Sequence, residues 1–289
     1  MNRSPLKWSQ VFLCTLLLGG VALLLYRHDT VAVAVHDGLL LCLNTIIPSL
    51  FPLFVAISLL MGCGLGRFLP PELSALVLGL LGGYPVGAKT VAELLQSGVI
   101  DRKTGQVLLL CCNNAGPAFI LGVVGYGLFH RAAVGWALYA IHGLTAVLFF
   151  AVLPRPQEQS VCALPMPPFS FSKSFVQAVR SGVTAMGNIC GFVVLFLVIL
   201  RLLSTYAGVS HPLLLGAVEL TNGILMLPNT ADGFVMASAL LSFGGLSVLC
   251  QTAAVLDGSG VKLWPYLLAK LGQAVISAAL AFLVRGLLF

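Results

Sequence analysis

The sequence predicts an all-α polytopic membrane protein, and three observations lead to that prediction. Of the 289 residues, 59% are hydrophobic and only 8% are charged. Three stretches without a charged side chain exceed the roughly 20 residues that a spanning helix needs: Gly38–Gly66, Thr104–Phe129 and Gly233–Leu256. Gly, Pro and polar residues also interrupt apolar segments in a way typical of membrane carriers. Because a water-soluble core could not bury this much apolar surface, we expect one integral membrane domain with two halves.

The apolar runs and the cations between them predict about 7–9 membrane segments. Arg3 and Lys7 place the N-terminus in the cytoplasm, and no small-residue cleavage pattern follows the first run, so we expect an uncleaved helix. In chain order the predicted spans are Trp8–Tyr26, Gly38–Met61, Thr104–Phe129, Ala132–Leu153, Ser181–Leu203, Phe234–Leu256 and Leu263–Leu288. Two further segments, Glu72–Gly98 and Pro212–Pro228, are expected to be re-entrant hairpins. Their alternative, two full spans, stays open.

The order of these elements repeats in the two halves. Each half runs through a long span, a Gly-rich interrupted segment, a span broken by polar residues and a final span. On the predicted topology the first repeat starts outside and the second inside, so the repeats are inverted, as in carriers that rock two repeats around a central site. The predicted parts are an N-terminal helix and loop (1–37), the first repeat (38–153), a Pro-rich cytoplasmic linker (154–173) and the second repeat (174–289).

The first interrupted segment, Leu78–Lys89, is a candidate substrate site. Gly83, Pro85 and Gly87 break the helix, and a break in the bilayer is tolerated only inside protein or beside a cavity. The helix that starts after Pro85 would offer free backbone N–H groups to an anion, and Lys89 would add a full positive charge. The alternative is that Lys89 forms an i,i+4 pair with Glu93 that only neutralises itself.

The second interrupted segment, Leu110–Gly122, carries Asn113 and Asn114 in the middle of a predicted span. Each amide needs hydrogen-bond partners because the surrounding hydrocarbon offers none. We expect both to line a cavity, where they bind a polar substrate or cap the broken helix before Pro117. The alternative is that they join helices through side-chain hydrogen bonds.

In the second half, Glu219 is the leading candidate because intramembrane carboxylates are functional candidates by default. It would bind a proton or a sodium ion that drives transport, or a cationic group of the substrate. The alternative is a structural ion pair with Arg201 or Lys270. Asn222, Gln251 and Thr252 are predicted to complete the site from this half. His142 is expected to be an interior histidine with satisfied hydrogen bonds.

Several function classes are disfavoured. The formal charge of +6 comes from cations in short loops that set membrane orientation, so we expect no nucleic-acid partner. The 8 cysteines lie mostly in apolar runs without metal-ligand spacing. We expect no metal site, no cofactor, no nucleotide-binding loop and no catalytic constellation, and hence no enzyme. The expected partners are the lipid bilayer, a small-molecule anion and a coupling H+ or Na+, and an oligomer is compatible with the sequence.

The two motifs of the first half resemble those of a known family. Gly83-Tyr-Pro-Val-Gly-Ala-Lys-Thr and Cys112-Asn-Asn-Ala-Gly-Pro-Ala-Phe-Ile-Leu-Gly are similar to segments of the YlbJ-type sporulation integral membrane proteins. These belong to the broader nucleoside transporter/FeoB Gate group, also called nucleoside-recognition domains. Glu219-Leu-Thr-Asn-Gly and Gly244-Gly-Leu-Ser-Val-Leu-Cys-Gln extend the resemblance to the second half. It implies a bacterial membrane protein of a spore-former, with the mother-cell-derived forespore membrane as its candidate location.

The resemblance implies dipicolinic acid, a small planar dicarboxylate moved into the forespore, as the candidate solute. Helix N-termini and Lys89 suit such an anion. The sequence therefore predicts a secondary transporter of a small polar or anionic solute, with its site at broken helices near the bilayer midplane. The alternative is a non-transporting membrane partner or gating subunit of a larger complex.

Overall fold

The computed structural model describes residues 8–63, 69–154 and 170–289, and every regular element within them is a helix. Within these described ranges, six helices, some of them composite, are long and apolar enough to cross a membrane. This confirms the predicted all-α polytopic membrane protein. Most of the predicted linker 154–173, together with Arg3, Lys7 and Arg67, lies outside the described residues. The cytoplasmic positions expected there stay predictions.

The first helices form the lipid-facing start of the fold. Helix α1 (Trp8–Tyr26) matches the first predicted span and has no buried residue. Helix α2 (His28–Leu41), a π-helical segment (Cys42–Ile46) and α3 (Ile47–Gly62) then run on without a gap.

The second span was predicted to begin at Gly38, and that start is wrong by about three turns. Helix α2 begins at His28 and carries Asp37 in its interior. That carboxylate lies 2.7 Å from the Arg201 guanidinium of a later helix, so the charge has a partner along the helix face. Sequence hydropathy counted Asp37 as a loop residue because the pairing joins positions 164 residues apart.

The first interrupted segment forms two short helices that pack against one another, α4 (Pro71–Gly82) and α5 (Val86–Gln96). At 1.5 Å per residue each is only about 16–18 Å long, too short to cross a hydrocarbon core of about 30 Å alone. These lengths favour the predicted re-entrant hairpin over two full spans. Gly83, Tyr84 and Pro85 form the turn between the two helices.

The second interrupted segment is a broken span. Asp101 caps α6 (Arg102–Cys112) by accepting a 2.8 Å hydrogen bond from the Thr104 backbone N–H. Non-helical residues 113–116 follow, and a π-helical segment (Ala118–Leu128) completes the span. Helix α7 (Ala132–Val152) then matches the fourth predicted span.

The second half repeats this order of elements. A 37-residue helix, α8, is followed by a hairpin of two very short helices, a span broken at Gly244 and a final long helix. The bounds are α8 (Phe171–Ala207), α9 (Pro212–Val218), α10 (Leu220–Leu225), α11 (Ala231–Phe243), α12 (Gly245–Val255) and α13 (Leu263–Leu288). The two halves thus have a similar order of helices, and the division into two inverted repeats stays a prediction.

Packing places the broken helices at the centre of the molecule. Helix α8 packs against α2 and α3, while α13 packs against α7 and α11. The largest apolar cluster joins the two halves through Tyr84, Ala115, Leu220 and Val248, which lie at or beside the four breaks. The outer faces of the long helices expose large apolar side chains, as expected of surfaces that contact lipid.

Candidate functional site

The breaks of the first half cross at van der Waals distance. Gly83 adopts a φ of +74°, and a Cβ there would lie 2.4 Å from the backbone nitrogen of Gly116. A Cβ on Gly87 would lie 2.0 Å from the carbonyl oxygen of Cys112. Both distances are far below any normal contact, so only glycine allows the hairpin to cross the broken span here. The two predicted motifs therefore form one structural unit.

Asn113 joins this crossing to the second half. Its Oδ1 accepts a 3.2 Å hydrogen bond from the backbone N–H of Ala88, in the first turn of α5. Its Nδ2 donates to Thr252 Oγ1 at 2.9 Å and to the Tyr266 hydroxyl at 2.8 Å. The amide is completely buried and all of these partners belong to the protein. Asn113 thus caps a half-helix and connects α5, α12 and α13.

Asn114 accepts a hydrogen bond from a buried lysine. Lys270 Nζ donates to Asn114 Oδ1 at 3.0 Å and to Gln273 Oε1 at 2.8 Å. The amide nitrogens of Asn114 and Gln273 donate in turn to the carbonyl oxygens of Cys111 and Leu110, at 2.6 and 2.7 Å. These are carbonyls of the last turn of α6, which has no further helical partners for them. The three side chains therefore cap the C-terminus of α6.

The environment of Lys270 is polar and aromatic but not anionic. Its side chain is 1% exposed, and its ammonium lies 5.3 Å from the ring centroid of Tyr84 and 5.7 Å from that of Tyr266. Two amide oxygens, two aromatic faces and the negative end of α6 stabilise the charge. In the part of the chain that the structure describes, no carboxylate forms an ion pair with Lys270.

His142 has two hydrogen-bond partners in the interior. Its Nε2 accepts a 2.9 Å bond from the Ala115 N–H, so Nδ1 carries the ring proton and donates to Ser242 Oγ at 3.0 Å. Ser242 donates to Ser277, and Ser277 to Thr145, at 2.7 and 3.0 Å. The interior histidine was predicted, whereas this chain of hydroxyls was not, because single serines on apolar helices carry no distinctive sequence signal.

Glu219 lies between α9 and α10 and caps α10. Its two carboxylate oxygens accept from the backbone N–H groups of Thr221 and Asn222, at 3.1 and 2.8 Å. The Asn222 side chain donates a third bond of 2.6 Å. The expected alternative, an ion pair with Arg201 or Lys270, is wrong. Arg201 pairs with Asp37, and Lys270 with amides.

A small inner chamber adjoins Glu219. Its volume is about 60 Å³, and it lies between the breaks of both halves and the π-helical part of the second span. Apolar side chains form most of its wall. The remaining wall consists of polar side chains and of backbone at the helix breaks. These residues are Gly82, Gly83, Tyr84, Ala115, Gly116, Glu219, Thr221 and Gln251.

A larger polar vestibule lies next to this chamber, with a volume of about 430 Å³. Lys89 donates a hydrogen bond to Ser181 and lies 3.7 Å from the Glu93 carboxylate, so the expected i,i+4 pair also forms. Two cations and one acid line the space. The lining residues with polar side chains are Lys89, Glu93, Gln96, Gln177, Arg180, Ser181, Thr184, Asn188 and Gln251.

Gln251 and Ile189 line both cavities, so they form the boundary between vestibule and inner chamber. The predicted site residues divide accordingly. Gly83 and Glu219 face the chamber, Pro85 and Lys89 face the vestibule, and Gln251 faces both. The structure places the others at helix crossings and caps outside these two linings: Gly87, Asn113, Asn114 and Asn222.

Sequence reasoning missed the polar face of α8 that lines the vestibule. Gln177, Ser181, Thr184 and Asn188 recur every three or four residues in the N-terminal half of that helix, and Arg180 lies next to Ser181. This is the helical period, and it marks a polar stripe on an otherwise apolar helix. The stripe was overlooked because Arg180 was assigned to the cytoplasmic end of the preceding linker.

Comparison with known proteins identifies one relative. The chain is 27% identical to the sporulation integral membrane protein YlbJ of Bacillus subtilis (strain 168) over 312 aligned positions, which cover 87% of this chain and 76% of that protein. No protein-family model matches the chain. No solved structure matches it. The protein is therefore an integral membrane protein related to a sporulation membrane protein, and its likeness to the Gate group stays a prediction.

Proposed function

We propose that this protein is a secondary transporter of a small anionic solute, which enters through the vestibule. The observation that carries the proposal is the polar space of about 430 Å³ lined by Lys89 and Arg180. This volume lies within the range of small-molecule sites, roughly 300–1,000 Å³. Two cations against the single acid Glu93 leave the lining with a net positive charge, which favours an anion.

The position of the vestibule supports a carrier rather than a simple surface cleft. The vestibule begins at the start of α5, the second short helix of the first hairpin, where Pro85 and Lys89 line it. It ends at Gln251 on α12, beyond which the inner chamber reaches Glu219 in the other hairpin. Both halves thus contribute broken helices to two adjacent cavities that share Ile189 and Gln251 as lining residues, and alternating access uses broken helices from two repeats in this way.

Dipicolinic acid is the first substrate to test. It carries two carboxylates on a planar ring, and the vestibule offers two cations that could each bind one of them. The amides of Gln177 and Asn188 line the same space and add neutral donors. The name of the relative, a sporulation integral membrane protein, gives a biological reason to begin with this compound.

The test is uptake of labelled dipicolinate into proteoliposomes that contain the purified protein. We expect uptake by the wild type, and a loss of at least about tenfold in Lys89→Ala and Arg180→Ala, since each removes a charge-assisted contact. Lys103→Ala is the matched control, because Lys103 is exposed at the start of α6, outside both cavity linings. Equal uptake by all four proteins would contradict the assignment of the vestibule.

A second candidate, a non-transporting partner or gating subunit, is favoured by one observation. The amides of Asn113 and Asn114 are buried and bonded to protein groups, as expected of residues that hold helices together. A well-folded wild type that takes up neither dipicolinate nor other small anions or nucleosides would support this candidate instead.

A further inference from the structure

Glu219 is a buried acid without a cationic partner in the described part of the chain. Its side chain is 2% exposed, and its hydrogen-bond donors are neutral N–H groups. The two cations that could have paired with it are bound elsewhere. Neutral donors reduce the cost of burying a carboxylate but leave its net charge uncompensated. A counter-charge beside Glu219 would remove that cost.

The inner chamber provides room for such a counter-charge. Its volume of about 60 Å³ corresponds to roughly two water molecules, or to one small ion with one water. Glu219 and the hydroxyl-bearing Thr221 lie in its wall. Helix α4 ends at Gly82 in the same wall, and the C-terminal end of a helix carries partial negative charge.

Gln251 supplies a second, independent indication of a ligand. It is 5% exposed and lines the chamber. Its Nε2 donates to Ser247 Oγ at 3.3 Å, while no described residue donates to its Oε1. Every fully enclosed side-chain nitrogen and oxygen atom of the described residues has a partner, so this unpaired oxygen borders open space. Here the oxygen belongs to a side chain that borders a chamber containing a carboxylate.

We propose that the inner chamber binds a monovalent alkali cation, with Glu219 as its charged ligand and Gln251 Oε1 as a neutral ligand. Carboxylate and carbonyl oxygens are the ligands that hard cations prefer. One carboxylate neutralises one positive charge, whereas a divalent ion would leave a buried excess charge. Sodium is the probe ion.

The cation site also gives Gln251 a role in coupling, which rests on the proposed transport function. Gln251 lines the cation chamber and the anion vestibule at once. A cation bound in the chamber would fix the orientation of the Gln251 amide. That orientation in turn determines which amide atom faces an anion in the vestibule. Because such coupling is reciprocal, sodium and the anion raise each other's affinity by the same factor.

Thermal unfolding of the purified protein in detergent tests the site without any transport. Sodium chloride is compared with choline chloride at constant ionic strength and pH. We expect sodium to raise the unfolding midpoint of the wild type by about 2 °C or more. The shift disappears in Glu219→Gln and persists in Glu72→Gln, the same chemical change at the start of α4, outside the chamber. No shift in the wild type, or an undiminished shift in Glu219→Gln, would overturn the proposal.

If Glu219→Gln does not fold, two variants at Gln251 test the cation site by the same unfolding measurement. Gln251→Leu removes the neutral ligand and leaves the carboxylate intact, so the sodium shift is expected to shrink by at least half. Gln251→Glu places a second carboxylate at the chamber, so calcium is expected to stabilise this variant more than the wild type. An unchanged sodium shift in the first and no calcium response in the second would refute the site.

The outcomes also separate this inference from the transport proposal. Uptake without sodium stabilisation would overturn the cation site and leave the carrier, with a proton as the counter-charge of Glu219. Stabilisation by sodium without uptake of any solute would keep the site and overturn the carrier.

Discussion

Lys270 Nζ donates a 3.0 Å hydrogen bond to Asn114 Oδ1 across 156 positions of the chain. The bond joins the last helix of the second half to the break in the third span, which belongs to the first half. Asn114 also bonds to a carbonyl oxygen of the last turn of α6, and Lys270 reaches another one through Gln273. A specific set of polar side chains therefore caps the end of α6 at the break. The two halves therefore meet through buried polar contacts as well as apolar packing.

A double-mutant cycle tests this cap. Lys270→Met and Asn114→Ala each leave polar partners unpaired, and we expect their effects on the free energy of unfolding to be non-additive by at least about 1 kcal/mol. The measurement is reversible unfolding in mixed micelles. Lys103→Met combined with Asn114→Ala serves as the control pair, because Lys103 is exposed. Additive effects of Lys270→Met and Asn114→Ala would show that the two groups do not interact in solution.

The crossing of the two breaks predicts that Gly87→Ala is severely destabilising. The new Cβ would meet the Cys112 carbonyl oxygen at 2.0 Å, and backbone on both sides would have to move. We expect a lower yield of monodisperse protein and an unfolding midpoint lower by several degrees. Gly143→Ala on α7 is the control, since a Cβ there meets no atom within 4 Å. A Gly87→Ala protein as stable as this control would refute the close approach.

Tyr84 links the first hairpin to the break of the sixth span. Its hydroxyl donates to the carbonyl oxygen of Leu241 at 3.2 Å, in the last turn of α11. Tyr84→Phe removes that donor while keeping the ring, so we expect a loss of about 0.5–1.5 kcal/mol of unfolding free energy. Tyr126→Phe, at a tyrosine that is 63% exposed, is expected to change little. Equal effects of the two substitutions would argue against the bond.

The ion pair between Asp37 and Arg201 predicts a charge-swap rescue. The two side chains lie 2.7 Å apart on α2 and α8. Asp37→Arg or Arg201→Asp alone places two like charges together, so each is expected to lower the unfolding midpoint. The double exchange restores an opposite pair and should recover most of the loss. Failure of the double variant to exceed both single variants would contradict the pairing.

Hydropathy and charge were sufficient to predict the helical class and the order of the elements, because long uncharged runs have few alternatives in a membrane. The bounds of α1, α7 and α13 lie within one residue of the predicted spans. The predicted starts of spans were wrong where a residue distant in sequence provides a partner for polar side chains on the helix. Helix α2 extends through Asp37 because Arg201 neutralises it, and α8 extends N-terminally along its polar vestibule face.

The candidate residues were predicted better than their roles. Breaks and buried polar groups can be recognised one at a time, which is how Gly83, Asn113 and Glu219 were found. Whether an amide faces a cavity or another helix depends on the tertiary partner, and Asn113 has Thr252 and Tyr266 as partners from the other half. Arg180 was missed for the same reason, since only the tertiary fold, which joins α5 and α8 through the Lys89–Ser181 hydrogen bond, places it in the vestibule with Lys89.

Counterflow across proteoliposomes is the most direct test of the carrier. Vesicles loaded with unlabelled dipicolinate are diluted into a trace of labelled compound without an ion gradient. A carrier exchanges solute through one alternating site, so we predict transient accumulation of label above its equilibrium level, abolished in Lys89→Ala and kept in Lys103→Ala. A well-folded wild type whose label never exceeds that of protein-free vesicles would contradict the account.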